Sequence, residues 1–257
     1  MTRHAVVTGA SSGIGWAIAA RLRASGWRVT GVARRADRLE RLAAETGAET
    51  FVADLTSPDD IESLRAHLAA NGPVDALINN AGGARGLERV EDDTAENWRW
   101  MLEVNVIAVQ QVTAALLPSL REGAKANGGA DIVFITSIAA AEVYEGGAGY
   151  NAAKAAEASI ARVLRLELAG EPIRIIEIAP GMVETEEFST NRFGGDAERA
   201  ASVYRGVENP LTADDVADVV GYSIELPLHV NLDHVTIRPV AQPAQFKVIR
   251  EKLAVRD

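Results

Sequence analysis

The chain has 257 residues, 47% hydrophobic and 24% charged, enough to bury the core of one globular domain. Its formal charge of -10 disfavours a phosphate-backbone binder, so no nucleic-acid partner is expected. The absence of cysteine excludes disulfides and thiolate chemistry and fits a reducing compartment. His4, His67, His229 and His234 show no metal-ligand spacing, and no metal is expected. No apolar run approaches the length of a membrane span, and the N-terminus passes directly into a strand-like segment, so neither a membrane nor a signal peptide is expected; the expected location is the cytoplasm.

In chain order, short apolar runs alternate with helix-like stretches. Strands are expected at 5–8, 28–33, 50–53 and 76–79, and helices at 14–24, 36–44 and 63–70. A long helical region follows from 95 to about 117, then a strand at 132–136, a helix at 148–168, a strand at 173–178 and a helix beginning near Ala213. Strands that read as continuous hydrophobic runs belong in a parallel sheet covered on both faces. The expectation is a doubly wound α/β sheet of the Rossmann type, in one domain spanning 1–257. Ser57-Pro58-Asp59-Asp60 reads as a helix start, Asn71-Gly72-Pro73 as a helix end, and Gly128-Gly129 as the entry to a strand. The irregular stretch 184–208 reads equally as a lid over a site or as a variable surface loop. Positions 241–257 read as an ordered arm.

In such a sheet, ligands bind beyond the carboxyl ends of the strands. The first strand ends in Thr8-Gly9-Ala10-Ser11-Ser12-Gly13-Ile14-Gly15, where Gly9, Gly13 and Gly15 have the spacing G-x-x-x-G-x-G before a helix. Glycines there let a pyrophosphate approach backbone N–H groups at a helix N-terminus. The same residues satisfy G-x-S-x-G, the hydrolase nucleophile turn. That rival needs a late acid and histidine, yet His229 and His234 have no clear strand-end aspartate as partner. The second strand runs into Arg34-Arg35, which suits the 2′-phosphate of NADP, with Arg34 the better candidate; Asp37 falls one turn into the helix. Tyr150 and Lys154 lie four residues apart on a helix, so the lysine ammonium can favour the ionised phenol. Taken alone, such a pair is an ordinary surface contact. Ser137 closes the apolar run thirteen positions upstream.

Together these motifs resemble the short-chain dehydrogenase/reductase family, in register from Ala5 to the C-terminal tail. The resemblance rests on the glycine turn, Asp54, Asn79-Asn80-Ala81-Gly82, Asn105, Ser137, Tyr150, Lys154 and Pro180-Gly181. It implies an NADP cofactor held by Gly9, Ser11, Ser12, Gly13, Ile14, Gly15, Arg34, Arg35, Asp54, Leu55, Asn80, Ala81, Gly82, Tyr150, Lys154, Pro180, Gly181, Val183 and Thr185. It implies a catalytic set in which Tyr150 is the acid or base, Ser137 orients the substrate oxygen, Lys154 holds the nicotinamide ribose, and Asn105 holds a relay water. The stretch 180–193 and the ending Ile237-Arg238-Pro239-Val240-Ala241-Gln242 are similar to the NADP-dependent 3-hydroxy acid dehydrogenases, including serine and L-allo-threonine dehydrogenases. That group implies a small hydroxy-acid substrate or its carbonyl form, and a homotetramer. A broader carbonyl or 3-oxoacyl reductase and a non-catalytic NADP-binding protein are the alternatives. Arg192 is expected to pair with a substrate carboxylate, or else with Asp196 or Glu198. Glu142 and Glu145 depart from the expected pattern and would repel an anionic substrate if they faced it.

Overall fold

The computed structural model describes residues 2–255, and Met1 and positions 256 and 257 of the expected arm lie outside them. Its strands are β1 (His4–Thr8), β2 (Arg28–Ala33), β3 (Glu49–Val52), β4 (Ala76–Asn79), β5 (Ala130–Ile135), β6 (Ile173–Pro180) and β7 (His234–Ile237). They form one sheet in the order β3-β2-β1-β4-β5-β6-β7, with every neighbouring pair parallel. The expected doubly wound α/β fold is therefore present.

The intervening helices are α1 (Gly13–Ala24), α2 (Ala36–Thr46), α3 (Pro58–Ala70), α4 (Ala95–Leu102), α5 (Ala108–Asn127), α6 (Ala148–Glu167), α7 (Phe188–Arg192), α8 (Ala197–Ser202) and α9 (Ala213–Glu225). Successive strand residues point to opposite faces, so Ala5 and Val7 pack with α1, α2 and α9, whereas Val6 packs with α3, α5 and α6. The same alternation sends Val133 and Ile135 to the first core, and Ile132 and Phe134 to the second. Each large side chain fully buried in these layers contributes roughly 1.5–3 kcal/mol. Helix starts follow the local chemistry: the Ser57 hydroxyl accepts from Asp60 N–H with Pro58 in the first turn, and Thr212 and Asp215 form a reciprocal capping box.

Three features differ from the sequence expectations. The long helical region does not stop before Pro118 but continues to Asn127, because Leu116, Leu120 and Ala124 bury the same face against the sheet. A π-helical segment at Glu103–Ile107 joins α4 to α5, and the continuous Ala95–Asn127 helix is long and apolar enough to cross a membrane by length and composition. The sequence was expected to hold no such run; here the helix packs its apolar side on the second core. β7 was not anticipated: it is a short, half-exposed edge strand paired only to β6.

At the opposite end of the sheet from the strand-end loops, His4 is 2% exposed. Its Nδ1 faces the Pro73 carbonyl at 3.3 Å and its Nε2 faces the Thr30 hydroxyl at 2.8 Å. A carbonyl only accepts, so the proton sits on Nδ1 and the ring is neutral. Burial first, and the Arg28 charge second, lower its pKa from 6.5 to about 4. The stabilisation from neutral His4 is complete above pH 6.5 and is lost as pH falls toward 4, by up to about 3 kcal/mol. In urea unfolding at pH 7.5 and pH 5, His4→Gln is expected to lose less stability on acidification than the parent protein.

Candidate active site

The strand order reverses between β1 and β4, and a cleft of about 850 Å³ opens there along the carboxyl ends of the strands. The two halves are joined at this point by Thr8. Its hydroxyl donates to the Ile78 carbonyl at 3.1 Å and accepts from the N–H groups of Asn80 and Ala81 at 2.9 and 3.0 Å. The Asn80 side-chain amide returns the link by donating to the Thr8 carbonyl at 2.9 Å. Gly9 and Gly13 adopt positive φ values of +68° and +53°, which an L side chain resists. A Cβ on Gly15 would stand 2.4 Å from the Gly9 carbonyl oxygen. Ser12 precedes α1 without capping it through its side chain, which leaves the first-turn N–H groups free of that competitor. This cradle fits the pyrophosphate of a dinucleotide.

At one end of the cleft, the Asp54 carboxylate accepts from the Thr56 N–H and hydroxyl at 3.0 and 2.8 Å. Burial acts to raise its pKa, but those hydrogen bonds and the Arg34 charge hold it below the usual carboxylate range. Arg34 is exposed at the mouth, whereas Arg35 reaches inward. The Arg35 guanidinium donates to the hydroxyls of Ser11 and Ser12 at 2.8 and 3.1 Å and forks onto Glu187 with two 2.8 Å contacts. Ser12 also donates to Glu187, at 2.8 Å. The Arg35 hydrogen bond is the main cause that lowers the Glu187 pKa. Glu187 lies within the 180–193 stretch but carries no local signal that its carboxylate folds back onto Arg35.

At the other end, β5 delivers Ser137 and α6 delivers Tyr150 and Lys154. Ser137 caps a short 3₁₀ turn at Ile138–Ala140, its hydroxyl accepting from Ala139 N–H at 3.1 Å. Tyr150 is 8% exposed, with Phe188 edge-on at 5.9 Å between ring centroids. Lys154 is buried, and its ammonium donates to the Ile135 carbonyl at 3.0 Å and to Glu157 at 2.6 Å. Burial disfavours the charged lysine, but the charges of Glu157 and Tyr150 outweigh it and raise the Lys154 pKa. Asn105 sits inside the π segment. Its amide donates to the Met101 and Gly83 carbonyls at 2.7 and 2.9 Å, and its oxygen accepts from Gly83 N–H at 3.1 Å. The π turn is thus pinned to the loop after β4.

Pro180, Gly181, Val183 and Thr185 line the far wall, with Gly181 N–H bonded to the Ile237 carbonyl at 2.7 Å. All the expected site residues line this one cleft except Gly15 and Asn105, which stand behind its wall. Arg192, in α7, donates from Nε to the Gly86 carbonyl at 2.9 Å, and its guanidinium lies over the rings of Tyr144 and Tyr150 at 5.5 and 5.7 Å. It pairs with neither Asp196 nor Glu198; Asp196 instead caps α8. Tyr144, Phe188 and Gln245 also line the cleft and carried no local signal in the sequence. Glu142 does not line the cleft: it pairs with Arg238 and accepts from Gln245 N–H of the C-terminal arm at 2.8 Å. Glu145 does line the cleft. His234, the late histidine of the hydrolase alternative, faces Glu177 rather than Ser11 or Ser12. Among the described residues, no cluster of His, Asp or Glu could hold a metal.

Residues 3–193 match the family model described as short chain dehydrogenase. An uncharacterized oxidoreductase of Mycobacterium tuberculosis is 54% identical over 92% of this chain and 91% of its own length. Serine 3-dehydrogenase of Agrobacterium fabrum is 38% identical over 98% and 100%. The closed form of a serine dehydrogenase complexed with NADP+ superposes with a TM-score of 0.88 at 33% identity, covering 99% of both chains.

Proposed function

The chain belongs to the short-chain dehydrogenase family, and from that premise we propose that it is an NADP-dependent oxidoreductase that interconverts a small hydroxy acid and its carbonyl form. The observation that carries this reading is the meeting, in one cleft, of a glycine cradle at the β1–β4 switch point with Ser137, Tyr150 and Lys154. The cradle of Gly9, Ser11, Ser12, Gly13, Ile14 and Gly15, with Asn80, Ala81 and Gly82 opposite, holds the dinucleotide. Asp54 and Leu55 take the adenine end, Arg34 and Arg35 the 2′-phosphate, and Pro180, Gly181, Val183 and Thr185 close the nicotinamide end. The bound nicotinamide supplies the hydride acceptor or donor.

Tyr150 gives its phenolic proton to the carbonyl oxygen in reduction and takes it back from the hydroxyl in oxidation. Ser137 donates to the same substrate oxygen. Lys154, fixed by the Ile135 carbonyl, keeps a positive charge beside the phenol and offers its remaining donor to the cleft. Asn105 anchors the π turn behind the site, and its proposed role is to hold the relay water there. Arg192 supports the choice of an acid: its guanidinium makes no ion pair among the described residues and lies 5.7 Å from the Tyr150 ring. A serine or 3-hydroxy acid fits this placement, and a neutral ketone leaves the arginine without a counter-charge. A homotetramer in the cytoplasm is the assembly and location that accompany this reading.

Tyr150→Phe is expected to keep NADPH binding while turnover falls by at least about a hundredfold, the scale of a lost general acid. The assay is an NADP-coupled panel of serine, allo-threonine, 3-hydroxypropionate, 3-hydroxyisobutyrate, sulfonate analogues and neutral ketones; turnover near the parent value would refute the assignment. Replacement of Arg34 and Arg35 by alanine is expected to weaken NADPH roughly tenfold and to leave NADH unchanged, by fluorescence titration. An equal loss for both cofactors would make the arginines structural. Arg192→Ala is expected to raise KM for acidic substrates by about tenfold or more with little change for neutral ketones. An unchanged KM for every acid would remove Arg192 from substrate recognition.

A further inference from the structure

Two carboxyl groups lie in the protein interior behind the Tyr150–Lys154 pair, and the acid–base chemistry described above does not use them. Glu157 is 1% exposed, one helical turn beyond Lys154 on α6, with its Oε2 2.6 Å from the lysine Nζ. Glu177, in the middle of β6, is also 1% exposed. Its Oε1 accepts from the Thr136 hydroxyl at 3.1 Å, and Thr136 is the residue between Ile135, whose carbonyl holds Lys154, and Ser137. Glu177 Oε2 is buried with no hydrogen-bond partner. Around Glu177, Arg162 Nε is 3.5 Å from Oε2, and the His234 ring, on β7, has its Nε2 3.8 Å from Oε1.

A buried carboxylate is costly when ionised. Glu157 shows the effect. Burial first, and the Glu177 charge in the same sense, push its pKa from 4.5 to about 7 against the pull of Lys154. The ionisable groups facing it are Lys154 on its own helix and Glu177 on β6, and beside Glu177 stand Arg162 of α6 and the His234 ring of β7. A lone lysine beside the phenol would place a full positive charge there. With Glu157 at 2.6 Å, that charge is opposed from the side away from the cleft.

We propose that Glu157 is a positioning residue that sets the charge on the Tyr150–Lys154 pair: its carboxylate, 2.6 Å from the ammonium, opposes the lysine from the side away from the cleft. The proposal rests on the reading of Tyr150 and Lys154 as the acid–base pair. It assigns that carboxyl a job beyond holding α6 against the sheet: it fixes how readily the phenol loses its proton, and hence the pH dependence of turnover in each direction.

The test is ultraviolet titration of tyrosinate in the whole protein, each variant referenced to the same background carrying Tyr150→Phe, so that one of the four tyrosines is read. In Glu157→Gln the lysine is unopposed, and Tyr150 is expected to ionise about one pH unit lower than in the parent protein. In Glu177→Gln the Glu157–Lys154 contact is kept, and the Tyr150 midpoint is expected to move by much less than in Glu157→Gln. An unchanged midpoint in folded Glu157→Gln overturns the proposal, and so does an equal downward shift in both variants, since the effect then does not depend on the contact with Lys154. Should Glu157→Gln fail to fold, Glu157→Asp keeps the charge but withdraws it by one methylene. It must then lower the midpoint by a smaller amount, and no shift in that variant counts against the proposal. Failure of the enzymatic reading is seen separately, as undiminished turnover in Tyr150→Phe.

Discussion

The hydroxyl of Thr8 is the small group on which the placement of the site depends. Parallel strands β1 and β4 meet where the chain reverses its direction of winding, and without a cross-link their following loops would be free to separate. One oxygen closes that gap by donating to Ile78 and accepting from two successive N–H groups, those of Asn80 and Ala81. Asn80 completes the lock from the other side. The glycine turn and the turn after β4 become one rigid wall, and Gly9 and Gly15 are glycine because that wall leaves no room for a Cβ.

The opposite wall is held by a different device, a polar interior. α6 is amphipathic, yet the side it turns to the sheet carries Tyr150, Asn151, Lys154 and Glu157, all buried. Such a helix face is stable only if each polar atom has a partner, and most do: the Asn151 amide donates to the Ala139 carbonyl at 2.6 Å, and Lys154 binds Ile135 and Glu157. Two atoms left bare are Asn151 Oδ1, on this face, and Glu177 Oε2, on β6. A buried polar patch that is almost but not wholly satisfied marks where packing has yielded to chemistry. The π turn makes the same statement in backbone terms, since its extra residue turns the Asn105 amide onto Met101 and Gly83.

The loop from β6 to α9 links the two ends. Glu187 reaches Arg35 and Ser12 at the cofactor end, while Phe188 and Arg192, one to five residues later, lie over Tyr150. A single short segment therefore touches both ends of the cleft. The C-terminal arm braces it from behind: the Gln242 side chain accepts from Met182 N–H at 2.7 Å, and Gln245 is bound by Glu142.

Periodicity and turn residues were enough to read six of the strands in place and the doubly wound order, because a strand buried on both faces must be apolar throughout and a helix must repeat its apolar face. β7 escaped because an edge strand with one partner needs no such pattern. The end of α5 escaped because Pro118 marks a break locally, while burial of Leu120 and Ala124 beyond it carries the helix on. The strand-end motifs placed Ser137, Tyr150, Lys154 and the glycine turn, since the spacing i to i+4 and the strand-to-helix turn are local geometry that a sequence encodes directly. What only the tertiary structure decided are the pairings between distant segments: Arg35 with Glu187, Glu142 with the arm, and Glu177 with Thr136 behind Lys154. Residue types along a chain fix which groups can carry charge. The distance between two charges, and the water excluded from around them, exist only once the sheet has brought the segments together.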